Sequence, residues 1–367
     1  MLTTLAILGI GFYFYGLNFL AVILIISFLI FFHELGHFLV AKWFGVCVNV
    51  FSIGFGEKVF TKQIGQTQYA ISAIPLGGYV SLKGQEDLDP AASSNDADSY
   101  NLLHPFKRIL ILFAGPFFNI VLAFFIYILL GYIGVEKLSP KIGEVLPNSA
   151  AIEAGLMKDD EILEINSKQI REWEDISKSV NLQNLNLKIK RNNEILNINL
   201  TPKIGEKESI FREKIQVPLI GIAPKGDTVK IYNTGLSSLS FALDETYKAS
   251  KLILVGLEKL IVGVVPVKEM GGIVAITDFT AKAESHGIAT LLILTALISV
   301  NLGIINLFPI PALDGGHIVF NIYELIFKKP VPKKAFVWLS YFGMAILFTL
   351  MIFTIVNDFL RIFGFYK

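Results

Sequence analysis

Phe31-Phe32-His33-Glu34-Leu35-Gly36-His37-Phe38-Leu39 sits where two imidazoles and a carboxylate ought to be costly. Upstream, Phe19 to Phe32 is apolar throughout except for Ser27. Downstream, Phe38 to Ala41 is apolar again before Lys42. The whole run reads as a membrane-spanning helix, and ionisable residues inside such a helix mark a functional site. On a helix, positions i and i+4 share a face, so His33 and His37 can reach one metal ion. Glu34 lies beside the first of them, placed to activate a water as general base. An amphipathic soluble helix could carry this pattern by accident, but here no solvated face exists to host it.

Composition supports the membrane reading. Hydrophobic residues make up 53% of the 367, charged residues only 17%, and mean hydropathy is +0.59. A soluble globule rarely has this balance. A net charge of +1 excludes a nucleic-acid partner held by bulk electrostatics. The single cysteine, Cys47, excludes an intrachain disulfide framework and a cysteine-cluster zinc site. Residues 1–16 are apolar and aromatic but lack a basic start and a small-residue cleavage pattern, so no cleavable signal peptide is expected.

Further long apolar runs follow. The expected spans are Leu17–Ala41, Ile109–Val135, Gly287–Leu313 and Ala335–Val356, each able to cross about 30 Å of hydrocarbon. Residues 236–265 are apolar overall but interleave Asp244, Glu245, Lys248, Lys251, Glu258 and Lys259 at helical spacing, which predicts an amphipathic helix lying in the interface. Lys42, Lys58, Lys62, Lys83, Lys107 and Arg108 fall between the first two spans. Lys328, Lys329, Lys333 and Lys334 fall between the last two. The positive-inside rule then puts both termini and the segment 136–235 outside.

The divisions expected are 1–41 (N-terminal segment and first span), 42–108 (cytoplasmic-side hairpin region and acidic loop), 109–135 (second span) and 136–235 (external domain and linker). After these come 236–286 (interfacial helix and linker), 287–327 (third span) and 328–367 (basic loop and fourth span). Within 51–83, Val59-Phe60 and Tyr69-Ala70-Ile71 flank Gly65-Gln66, the pattern of a β-hairpin, with another turn at Pro75-Leu76-Gly77-Gly78. Residues 85–101 are acidic and polar and read as a mobile loop. Residues 136–203 alternate short strands, turns and a helix at Trp173–Val180, with strands at Leu185–Arg191 and Ile195–Leu200: a compact α+β domain.

Two histidines leave a hydrolytic zinc short of a protein ligand. Asn306-Leu307-Phe308-Pro309-Ile310-Pro311-Ala312-Leu313-Asp314-Gly315-Gly316-His317 offers one. The prolines break the helix, the glycines allow close approach, and the Asp314 carboxylate suits zinc. A plain helix C-terminal cap is the competing reading of Asp314. Span parity favours the metal: spans one and three run the same way, so His37 and Asp314 approach the same leaflet. His317 is a substitute ligand. His104 and His286 flank spans and read as interfacial. Asn301 and Asn306 serve either helix–helix hydrogen bonding or donation to a substrate backbone or oxyanion. Gly115-Pro116-Phe117-Phe118-Asn119 reads as local packing against the metal helix.

His33–His37 in the first span, Ala114–Asn119 in the second and Asn306–Gly316 in the third together resemble the site-2 protease family of intramembrane zinc metalloproteases, closest to its regulator-of-sigma-E (RseP) type. The resemblance implies an α-helical polytopic membrane protein of about four transmembrane helices with a membrane-associated β-hairpin and an inserted α+β PDZ-like domain. It implies Zn2+ held by His33, His37 and Asp314, with Glu34 activating water. It implies regulated intramembrane proteolysis of single-pass membrane proteins, such as anti-sigma factors or remnant signal peptides, in a bacterial inner membrane. The hairpin, with Tyr69 and Ile71, would pair with an unwound substrate segment. The PDZ-like domain, signalled by Pro147–Ala151 and Ala154–Leu156, would contact peptides or ectodomains. One departure stands out: the external insert has room for one PDZ domain, where the enteric type carries two. The alternative function is a non-proteolytic PDZ membrane scaffold with a structural metal.

Overall fold

The computed structural model describes residues 12–13, 16–85, 94–272, 275–280 and 287–362. The chain forms two compact units. One holds residues 1–128, 239–258 and 266–367; the other holds 129–238 and 259–265.

Among the described residues, four helices are long and apolar enough to cross a membrane. Helix α1 (Leu17–Trp43) is apolar on all sides, as a lipid-embedded helix must be. It ends with Lys42 in its last turn and Trp43 exposed, stacked on Phe44, an arrangement that suits a membrane–water boundary. Helix α2 (Pro105–Ile133) opens on a proline, whose missing N–H costs nothing there. His104 Nδ1 accepts the Phe106 N–H at 3.3 Å and so caps the helix.

Between α1 and α2 lie β1 (Val48–Ile64) and β2 (Thr67–Leu82), joined at Gly65-Gln66. Both strands are long enough to be used twice. Residues 48–53 pair on one side with 78–82, Phe51 opposite Val80 and Ile53 opposite Gly78. On the other side they pair with 68–71, from Val50–Gln68 to Ile53–Ile71, where both numbers rise together and the ladder is parallel. Residues 58–64 close the patch against 67–72. The resulting order is 58–64, 67–72, 48–53, 78–82. Pro75-Leu76-Gly77-Gly78, expected to be a separate turn, is absorbed into β2 by register shifts. The patch packs on α1 through Phe38, Ala41, Val48, Phe51 and Leu82. Ser27 Oγ donates to the Pro75 carbonyl.

Residues 86–93 of the expected mobile loop lie outside the described residues. The remainder corrects that reading: 94–102 is folded. Lys83 Nζ lies 2.7 Å from Asp96 and 2.9 Å from Asp98, Asn101 bonds Ser94, and Tyr100 is buried. Of the N-terminal segment 1–16, only residues 12–13 and 16 are described.

The second unit begins with β3 (Val135–Leu138) and β4 (Ile142–Val145). A short α3 (Ala150–Glu153) is capped by Ser149, whose hydroxyl accepts the Ile152 N–H. Next come β5 (Glu161–Ile165), β6 (Lys168–Gln169) and α4 (Trp173–Ser179), followed by β7 (Leu185–Arg191) and β8 (Glu194–Leu200). Strands β6, β5, β7 and β8 form one sheet in that order. Its inward residues Ile162, Ile165, Leu185, Leu187 and Ile189 are fully buried; Leu185, Leu187 and Ile189 follow the alternation of the sequence, and a register shift between Ile162 and Glu164 brings Ile165 to the same core. Asp160, also fully buried, takes both Nε and Nη2 of Arg191 at 2.7 Å and the Met157 N–H at 2.8 Å, so its charge is paired and its lone pairs are used.

A hairpin not expected from the sequence follows, β9 (Lys203–Glu208) and β10 (Lys214–Leu219). Strand β11 (Ile222–Pro224) pairs with β4. Strand β12 (Thr228–Ile231) pairs with β3, Val135 opposite Ile231 and Leu138 opposite Thr228, so the entry and exit of this unit are zipped together.

Helix α5 (Leu236–Ile261) matches the expected amphipathic segment and is not among the four candidate spans. Helix α6 (Ile288–Asn306) ends well before Leu313, correcting the expected third span. Residues 307–313 are non-helical because Pro309 and Pro311 remove backbone donors. A separate α7 (Asp314–Phe327) then starts, and α8 (Lys333–Ile362) is the last candidate span.

Candidate metal centre

His33 and His37 stand one turn apart on α1, both buried, with ring centroids 4.7 Å apart. Their Nε2 atoms are 3.1 Å apart. Asp314 Oδ2 lies 3.1 Å from His33 Nε2 and 3.5 Å from His37 Nε2. Among the described residues, these three form the group of His, Cys, Asp or Glu side chains whose ligand atoms lie within 4.8 Å of one another. A tetrahedral zinc with bonds of about 2.0–2.1 Å sets its ligand atoms roughly 3.3 Å apart, so the donor set fits the ion in type and in spacing.

Asp314 is reached differently from the expectation. It does not cap the end of the third span. It is the first residue of α7, where a carboxylate is favoured by the exposed amides and dipole of a helix start. The prolines turn the chain back, and the paired glycines let it close. A Cβ on Gly315 would meet Leu307 O at 2.3 Å, and one on Gly316 would meet Ile310 O at 2.2 Å. Only glycine permits this wrap.

Helix α2 supplies the surroundings. His37 Nδ1 donates to Ile111 O at 2.8 Å, which leaves Nε2 with its lone pair toward Asp314. Pro116 sits inside α2 and removes the N–H that would bond Leu112 O, loosening the ladder beside Ile111. A Cβ on Gly115 would fall 2.3 Å from His37 Nε2, and one on Gly36 would fall 2.4 Å from Ala114 O. The Ala114-Gly115-Pro116 sequence therefore lets α2 approach α1 closely enough to cradle the imidazole. Asn119 Nδ2 lies 3.3 Å from His33 Nδ1. From the sequence alone this stretch reads as packing against the metal helix. Its contact with both histidines appears only when the two helices are brought together.

Glu34 is half-buried, and its Oε2 accepts the Val80 N–H at 3.1 Å. Val80 lies in the outermost segment of the β1–β2 sheet, so this carboxylate faces a strand edge. Tyr69 and Ile71 lie in the inner segment 67–72. Tyr69 packs against Phe38 and Phe51 with centroids 5.9 and 6.2 Å away, and Ile71 is 51% exposed. The edge residues beside Glu34 are Tyr79, Val80 and Ser81, which the sequence reading did not single out.

A cavity of about 950 Å³ opens beside His33 and Asp314, lined also by Asn306, Arg108, His317 and Asn321. Asn301 is not among its walls. His317 packs against Phe320 and Phe336, and its ring is not part of the metal group. Cys47 is buried near Asn49, and His286 lies outside the described residues.

Peptidase family M50 matches residues 21–350. The chain belongs to peptidase family M50. Among relatives of this M50 chain, a Campylobacter jejuni protein named "Putative zinc metalloprotease Cj1068" is 51% identical over 99% of both chains. A Helicobacter pylori protein of the same descriptive name is 39% identical over 94% of this chain and 99% of its own. The Bacillus subtilis regulator of sigma-W protease RasP is 30% identical over 94% of this chain and 98% of its own. This M50 peptidase is thus a multi-pass membrane zinc metalloprotease of the site-2 protease family.

Proposed function

We propose that this protein is an intramembrane endopeptidase that cuts single-pass membrane proteins near the cytoplasmic leaflet. His33, His37 and Asp314 would hold the zinc. Bound there, it would supply the Lewis acidity that makes a water nucleophilic near neutral pH and polarises the scissile carbonyl. Glu34 takes the proton from the attacking water and returns it to the leaving nitrogen. Asn306, on the cavity wall beside Asp314, donates to the substrate backbone or the developing oxyanion.

A helical peptide bond is shielded by its own hydrogen bonds, so the substrate must unwind. The strand edge at residues 78–82, adjacent to Glu34, can receive the unwound segment as an added strand. The second unit acts as a PDZ-like domain on the extracytoplasmic side and contacts peptide ends or ectodomains. Its topological assignment rests on the basic residues flanking the spans. The sigma-regulating name of the RasP relative supports anti-sigma factors as substrates, with remnant signal peptides as a further class, in a bacterial inner membrane.

The observation that carries this reading is Glu34, a carboxylate beside the ligand group and hydrogen-bonded to the outermost segment of the β1–β2 sheet. A structural metal site needs neither. The test is Glu34→Gln with a tagged single-pass substrate. Cleavage is lost while zinc content stays at the wild-type level. Continued cleavage with normal zinc overturns the reading.

A further inference from the structure

Asn119 is fully buried, its Nδ2 lies 3.3 Å from His33 Nδ1, and its Oδ1 has no hydrogen-bond partner. If the amide nitrogen donates to Nδ1, the ring proton of neutral His33 must sit on Nε2, the atom that faces His37 and Asp314. A protonated Nε2 cannot ligate. A half-turn of the carboxamide exchanges oxygen and nitrogen with almost no change in shape. In that orientation Oδ1 gains a donor, Nδ1 keeps its proton, and the Nε2 lone pair faces the metal group.

We propose that Asn119 is a positioning residue that holds His33 in the metal-binding tautomer by accepting its Nδ1–H. This rests on the reading of His33 as a zinc ligand. Helix α2 then orients both histidines, His37 through the Ile111 carbonyl and His33 through the Asn119 amide. Asn119 is itself anchored: Ser299 Oγ on α6 donates to the Asn119 carbonyl at 2.8 Å. Gly303 on α6 gives α2 room, since a Cβ there would lie 2.8 Å from Pro116 O. Hydrogen-bonding of the non-ligating nitrogen fixes the ring and raises ligand basicity, and loss of such a partner lowers metal affinity about 10–100-fold.

The experiment measures zinc affinity of the purified full-length protein by chelator competition, together with the visible spectrum of the cobalt(II)-substituted form. Asn119→Leu keeps the volume and removes the acceptor; Asn119→Asp keeps an acceptor and removes the donor. The expected result is a loss of roughly 10–100-fold and an altered cobalt spectrum for Asn119→Leu, with Asn119→Asp within a few-fold of wild type. Wild-type affinity in Asn119→Leu, or an equal loss in Asn119→Asp, overturns the proposal. If Asn119→Leu does not accumulate, Asn119→Asp decides alone: retained affinity supports the acceptor role and a tenfold loss overturns it. His33→Ala separates the two readings. If it binds zinc like wild type, the ligand assignment itself fails. If it loses zinc while Asn119→Leu does not, only the positioning role fails.

Discussion

Glu34 Oε2 and the Val80 N–H are joined across 3.1 Å, linking the metal helix to the outermost segment of the β1–β2 sheet. A carboxylate hydrogen-bonded to a backbone amide is held in place. Val80→Pro removes that donor at an edge position, where proline is tolerated. The expected outcome is a fall in peptidase rate of roughly 10–100-fold, the loss of one charge-assisted bond of about 1.5–3 kcal/mol. Zinc content and circular dichroism stay unchanged. An unaltered rate would show that the bond does not orient Glu34.

Asp314→Asn keeps size and shape but weakens the ligand. Zinc occupancy at limiting metal is expected to fall while the helical signal is retained. Occupancy equal to wild type would return His317 or a water to consideration as the third ligand.

Gly115→Ala places a methyl 2.3 Å from His37 Nε2, against an imidazole held by its Nδ1 bond to Ile111 O. Zinc affinity is expected to drop about tenfold or more. Gly45, where a Cβ meets nothing within 4 Å, is not a fair control because its φ is +78°. Gly205→Ala, in the second unit, is better, and is expected to leave zinc affinity unchanged. Isothermal titration of the apo-protein compares the two.

Leu187 is fully buried in the core of the second unit. Leu187→Ala is expected to destabilise that unit by about 2–5 kcal/mol through lost transfer energy and a residual cavity. Limited proteolysis should detect earlier cleavage within 135–231, with no change in zinc affinity.

Removal of zinc by a chelator is expected to abolish cleavage, and restoring zinc to recover it. Activity that survives complete removal would contradict the assignment of the centre as catalytic.

His33 and His37 were legible as a metal-capable pair because charge in an apolar run has few explanations. Strand β7 was legible because Leu185, Leu187 and Ile189 alternate with polar residues and the core takes one face. Asp314 was visible as a candidate but was placed at the wrong end of a helix. The apolar run continues to Leu313, yet Pro309 and Pro311 stop the helix at Asn306, and hydropathy does not register a missing amide proton. Ser94–Asn101 looked mobile because it is acidic, although Lys83 gathers Asp96 and Asp98. The β9–β10 hairpin was illegible because most of its side chains face outward and leave no clear alternation. Asn119 was read as packing because its partner, His33, lies on another helix. Local pattern carries periodicity and cost; it does not carry which side chains meet across helices.

The pairing of β3 with β12 has a consequence for how such a chain can vary. Both ends of the intervening segment leave from one ladder, Val135 beside Ile231. Whatever lies between is a cassette on a two-strand stem. It can be lengthened, doubled or exchanged while the stem keeps the ends of α2 and α5 at a fixed separation. The metal-bearing helices and the inserted unit are thereby free to change at different rates.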